Sequence, residues 1–146
     1  MIDTTSTRSI VVERTMPHPP QKVWQALTRS EVIAQWLMQN DFAPEVGRCF
    51  NFRATPIPGL WNGVTDCEVL AVEPPHRLVY SWCASGDEAA GGLKTVVTWT
   101  LTPVEGGTHV RMEQSGFGPS DEQGYRMMGG GWIRIIARLE ELSAPG

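Results

Sequence analysis

The sequence has no run of lysine or arginine, no apolar stretch long enough to cross a bilayer, and no closely spaced pair of cysteines. Each absence excludes a class of function. Nucleic acids and anionic membranes are bound through concentrated positive charge. Here 12 basic residues are scattered among 16 acidic ones, for a net charge of −4, so neither partner is expected. A membrane span needs about 18 consecutive apolar residues. The opening residues Met1-Ile2-Asp3-Thr4-Thr5-Ser6-Thr7-Arg8 also lack the apolar centre of a secretory signal, and a cytoplasmic location is expected. Cys49, Cys67 and Cys83 are odd in number and far apart, which reads as reduced, buried thiols rather than a metal or disulfide framework.

Catalytic signatures are missing too. There is no Gly-x-Ser-x-Gly, no His-Glu-x-x-His, no P-loop and no strand followed by Gly-x-Gly-x-x-Gly. His18 falls in a proline-rich loop, His76 in a turn and His109 on the polar side of a strand, none with an evident partner. The pairs Asp87-Glu88 and Asp121-Glu122 are adjacent carboxylates of the kind that face water or complement a helix dipole. Asp66 and Glu68 share one face of a strand, the solvent face if Cys67 and Val69 point inward. No cofactor and no metal is expected.

What the chain does have is tryptophan. Its 146 residues are 41% hydrophobic and include six Trp against two Tyr and four Phe. The length suits one domain spanning residues 1–146. Trp combines a large apolar surface with one N–H donor, so it can line a cavity as well as fill a core.

The order of elements reads as α+β. Residues 8–16 are β-branched and predict a first strand, ended by Pro17-His18-Pro19-Pro20. Two short helices follow, carrying Val23, Trp24, Ala26 and Leu27, then Val32, Ile33, Trp36 and Leu37, with Ser30 as the expected cap of the second. Period-two patterning begins at Gly47 and predicts strands at 49–53, 61–73, 77–83, 94–102 and 108–114. The loop around Pro56, Pro58 and Gly59, the turn Pro74-Pro75-His76, residues 85–92 and the hairpin signal Glu105-Gly106-Gly107 separate them. Six strands of an antiparallel meander result. Tyr125, Met128, Trp132, Ile135 or Ile136, Leu139 and Leu142 form an amphipathic stripe that predicts the longest helix over 121–142, with Ser120 and Gln123 as a capping box. Gly129-Gly130-Gly131 interrupts that stripe. Either the helix starts after it, or the missing side chains let something approach the backbone.

Such a sheet and helix bury their apolar faces against each other. Trp36, Phe50, Phe52, Trp82, Trp99 and Trp132 all fall on the inferred apolar side of their elements, with Met112, Phe117, Met128 and Ile136 beside them. Gln114 continues the side of Val110 and Met112, so an inward amide is expected there, bonded either to a bulge near Gly116 or to a ligand. A curved sheet gripping one helix is hard to fill, and an aromatic-lined void is where small molecules bind. These eleven residues are the expected ligand-binding set.

Longer patterns carry a resemblance. Pro20-x-x-Val23-Trp24-x-Ala26-Leu27-Thr28 with Glu31 and Trp36 is followed by Gly47-x-x-Phe50-x-Phe52 and Pro74-Pro75-x-Arg77-Leu78-Val79-Tyr80-x-Trp82. Then come Val97-x-Trp99-x-Leu101-Thr102-Pro103, Gly106-Gly107-Thr108, Gln114-Ser115-Gly116-Phe117, and Gly131-Trp132 with Leu139 and Leu142. Taken in order, they resemble the single-domain proteins named after the activator of the heat-shock-protein-90 ATPase, within the START-like (SRPBCC) superfamily. The resemblance implies a helix-grip fold with a deep hydrophobic cavity. That superfamily includes lipid carriers, polyketide cyclases, hormone receptors and resistance proteins that bind natural products. A co-chaperone of this kind carries a further N-terminal docking domain, so contact with a chaperone is not expected.

The leading expectation is a protein that binds an apolar or aromatic small molecule. The alternatives are a cyclase- or hydrolase-type enzyme using the same cavity, and a stress-related protein-interaction module. A homodimer is left open.

Overall fold

A computed structural model describes residues 8–58, 62–85, 93–118 and 121–143, with Gln123 described by its backbone only. Alternating apolar and polar residues build strands β1 (Arg8–Met16), β3 (Cys49–Arg53), β4 (Val64–Glu73), β5 (Arg77–Ala84), β6 (Lys94–Val104) and β7 (Gly107–Phe117). A further strand, β2 (Gln39–Asn40), extends one edge by pairing with Arg53 and Phe52. The expected count of six strands is thus corrected to seven among the described residues. Two residues are too few to show a period, so this strand has no signal in the sequence. The sheet is antiparallel throughout, in the order β1-β7-β6-β5-β4-β3-β2.

Between β1 and β2 lie α1 (Pro20–Thr28) and α2 (Ser30–Trp36). Pro20 takes the first helical position, where its missing N–H costs nothing. Arg29 is extended and separates the two helices. Ser30 is not the cap expected of it. It is the first helical residue, and its hydroxyl donates to the Asn40 carbonyl at 2.9 Å, tying α2 to β2.

Helix α3 (Glu122–Leu142) closes the fold, packing on β1, α1 and α2 and burying Trp132, Ile136 and Leu139. The arrangement is the helix-grip fold. Arg14 pairs with Glu140 at 2.8 Å, and Arg8 with Glu122, so both ends of α3 are tied to β1. Hydrogen bonds from Arg8 and Arg126 hold the Glu122 carboxyl below its usual range. Its exposed pairs add a small stabilisation that is present at neutral pH and lost as pH falls through that lowered value. No described helix is long and apolar enough to cross a membrane.

The turns follow local chemistry. The β6–β7 hairpin closes over Glu105 and Gly106, with Gly106 at φ +81°, a region that disfavours any side chain. Gly107, expected in the loop, instead pairs with Val104 inside the ladder. Asp66 and Glu68 are exposed while Cys67 and Val69 are buried. The cysteines are free, but only Cys67 is fully buried. Cys49 is exposed, because it alternates with the inward Phe50 and Phe52. Trp61, Gly59, residues 86–92 and Ser120 lie outside the described residues.

α3 runs unbroken through Gly129-Gly130-Gly131, so the later helix start is excluded. A Cβ placed on Gly129 or Gly130 would meet nothing within 4 Å. Gly130→Ala is therefore expected to stabilise the protein by about 1 kcal/mol, through helix propensity and a less free unfolded chain. This corresponds to a rise of about 2–4 °C in melting temperature. A fall in calorimetry would contradict an unbroken helix at this point.

Candidate functional site

The centre of the molecule is a polar thread inside an aromatic core. β7 alternates inward at Val110, Met112 and Gln114, which places the Gln114 amide fully out of solvent. Trp132 on α3 can only donate from its indole nitrogen, so the amide oxygen must face it, and the bond is 2.8 Å. The amide nitrogen then donates to the Thr95 hydroxyl at 3.0 Å, and that hydroxyl donates to the Trp82 carbonyl at 2.7 Å. The second amide hydrogen lies toward the Met128 sulfur, at 3.5 Å. Gln114 is thus satisfied from within, by β6 and α3. It bonds neither to the bulge at Gly116 nor to an open space. The bulge itself is real: at φ +105°, Gly116 is the extra residue between Ser115 and Phe117, and it turns Phe117 inward out of phase with Gln114.

The expected aromatics meet ring to ring. Trp36 packs edge-on to Trp99 at 5.7 Å, Trp99 to Trp132 at 5.8 Å, Trp132 against Trp82 at 5.6 Å, and Trp82 against Phe52 at 5.0 Å. Phe50 continues the chain to Tyr80. Burial pushes the Tyr80 phenol well up, so it stays neutral, and its oxygen accepts the Trp99 N–H at 3.0 Å. Burial likewise pushes the Cys67 thiol up, away from the nucleophilic thiolate.

A cavity of about 380 Å³ opens beside this core, between α3 and the β4–β5 end of the sheet. Its sheet side comprises Thr65, Trp82, Cys83, Ala84 and Leu93. Leu37, Met38 and Ile57 close one flank, and Asp121, Gly124, Met127, Met128, Gly131, Trp132 and Ile135 form the helix side. Exposed Ile57 and Met127 mark its mouth. Asp121 is the one carboxylate among these residues, and it already accepts the Gly118 N–H at 2.7 Å. No group of His, Cys, Asp and Glu among the described residues could hold a metal ion.

Three of the eleven expected residues face this space: Trp82, Met128 and Trp132. Phe50, Phe52, Trp99, Met112, Gln114, Phe117 and Ile136 are packed in the core behind it. Trp36 is also buried, with its N–H donating to the Ala26 carbonyl at 2.8 Å, and it borders an adjoining surface groove between α2 and α3 that shares Leu37, Gly131 and Ile135 with the cavity. Sequence reasoning missed the small and flexible members of the wall. A signal for two of them existed: Gly124 and Gly131 are seven residues apart, on one helical face with Met127, Met128 and Ile135. A Cβ on either glycine would meet nothing within 4 Å. These glycines do not serve close packing; they leave room.

Comparison with known proteins agrees with this architecture. The protein MLL2253 from Mesorhizobium loti is 50% identical, with a TM-score of 0.84 over 92% of this chain and 96% of its own. The Bacillus halodurans protein BH1534 is 27% identical, with a TM-score of 0.74 over 94% and 97%. The Aha1 dimer from Colwellia psychrerythraea, at 22% identity and a TM-score of 0.74 over 92% and 94%, shares the fold. No curated protein matches the sequence significantly. The family described as Activator of Hsp90 ATPase homolog 1-like protein matches residues 17–144, which takes in every element after β1 and every residue of the cavity wall, and the chain belongs to that family.

Proposed function

We propose that the cavity binds a small molecule with a flat, apolar body. The observation that carries this reading is the glycine face of α3. Gly131 costs the helix interior about 1 kcal/mol relative to alanine, and a Cβ on Gly124 or Gly131 would meet no atom of the described residues within 4 Å. The rest of the wall suits such a guest. Trp82 and Trp132 offer ring faces and edges, and Met38, Met127 and Met128 adapt to irregular shapes. A volume of about 380 Å³ lies in the range of small-molecule sites. Burying about 200 Å² of ligand apolar surface would contribute about 5 kcal/mol before the costs of association, so micromolar affinity relies on a preformed wall. Contact with a chaperone is no part of this reading.

The test is Gly131→Leu, which fills the cavity from the helix side. Titration with a panel of polycyclic aromatic compounds, followed by calorimetry, is expected to show binding weakened by about tenfold or more, the loss of roughly 1.4 kcal/mol of contact. The melting temperature should not fall, because a Cβ at this position meets no atom of the described residues within 4 Å and leucine improves helix propensity. Unchanged binding in a folded variant would remove the cavity as the site.

A further inference from the structure

Four tryptophans are fully buried in the described structure, and three of their indole N–H groups are paired within the fold. Trp36 donates to the Ala26 carbonyl, Trp99 to the Tyr80 hydroxyl and Trp132 to the Gln114 amide oxygen, at 2.8, 3.0 and 2.8 Å. The fourth is different. Trp82 is 4% exposed, and its indole nitrogen is buried with no hydrogen-bond partner among the described residues. A buried donor without an acceptor costs about as much as a lost hydrogen bond, and native folds rarely retain one without a use for it. Trp132 and Trp82 both border the cavity, and of the two only Trp82 has its indole nitrogen without a partner among the described residues.

We propose that the molecule bound in the cavity carries a hydrogen-bond acceptor, a carbonyl oxygen or its equivalent, that pairs with the Trp82 N–H. This rests on the cavity being a ligand site and names the chemistry of its guest: a flat apolar body with one acceptor, rather than a hydrocarbon. Thr65 lines the same wall and supplies the only hydroxyl among its described residues, so the acceptor end has a second polar neighbour. The Trp82 nitrogen is covered in the structure, and the acceptor reaches it by shifting a wall side chain. Met38, Met127 and Met128, unbranched and with three rotatable bonds each, are the members of the wall able to yield.

Fluorene and fluorenone test this, being rigid tricyclic probes of nearly equal shape that differ by one carbonyl. Calorimetric titration of the wild-type protein is expected to show fluorenone binding about tenfold more tightly, the scale of one neutral hydrogen bond to a group otherwise left unpaired. In Trp82→Phe that preference should vanish while fluorene still binds. In the wild-type protein, the assigned Trp82 indole proton should move downfield on adding fluorenone and not on adding fluorene, a readout that does not depend on the variant folding. Equal affinities for the two probes, an unmoved indole proton, or a preference that survives Trp82→Phe would each overturn the inference and leave the cavity reading intact. If neither probe binds, both readings fall together.

Discussion

Trp99→Ala is expected to cost about 3–5 kcal/mol of stability, the usual range for truncating a buried tryptophan. Trp99 has no exposed surface, and its ring stands edge-on between Trp36 of α2 and Trp132 of α3. Removing it opens a void where both helices meet the sheet, and the neighbouring rings are too rigid to close it. It also deprives the Tyr80 hydroxyl of its donor. For a chain of this length the loss corresponds to about 10 °C in melting temperature. Trp99→Phe keeps most of the packing and should lose well under half as much. Denaturant unfolding of the two variants separates the contributions, and a cost below about 1 kcal/mol for the alanine variant would mean that this ring is not central to the core.

The second large effect concerns the polar thread. Gln114→Leu keeps the approximate volume but removes the acceptor for Trp132, leaving an indole N–H buried without a partner. The expected cost is about 2 kcal/mol, because the full desolvation penalty of the orphaned donor is incurred while the added apolar contacts offset only part of it. Thr95 loses one donor but keeps its own bond to the Trp82 carbonyl, so it adds little to that cost. The discriminating measurement is a double-mutant cycle with Trp132→Phe. With the N–H gone, Gln114→Leu should cost about 1 kcal/mol less than in the wild-type background. Additive costs would show that the two side chains act independently and that the thread is not a unit.

Much of this architecture was legible from short stretches. The alternation in 94–102 and 108–114 placed Val97, Trp99, Val110, Met112 and Gln114 inward, and all are buried. The stripe from Met128 to Leu139 located α3 within a residue of its observed start and at its observed end. What escaped detection was either too short or dependent on a distant partner. β2 is two residues long and owes its existence to pairing with β3. Ser30 looked like a cap, but the Asn40 carbonyl, ten residues away, takes its hydroxyl. Cys49 was assigned to the interior on residue type, although its phase beside Phe50 and Phe52 placed it outside.

The cavity marks the division most clearly. By itself the sequence determined which side of each element is apolar, because the orientation of successive side chains along a strand or helix depends on local backbone geometry alone. It could not separate Trp82 and Trp132, which border the open space, from Trp99, Phe50 and Phe52, which fill the core, since all share the same phase on their own elements. Nor could it assign Gln114 its partners, because Thr95 and Trp132 lie 19 and 18 residues away in the chain. Only the tertiary structure decided where the packing stops. A void is what remains after Leu37, Ile57, Thr65, Trp82, Gly124 and Gly131, brought from four separate parts of the chain, have taken their volumes, and no local pattern carries that sum.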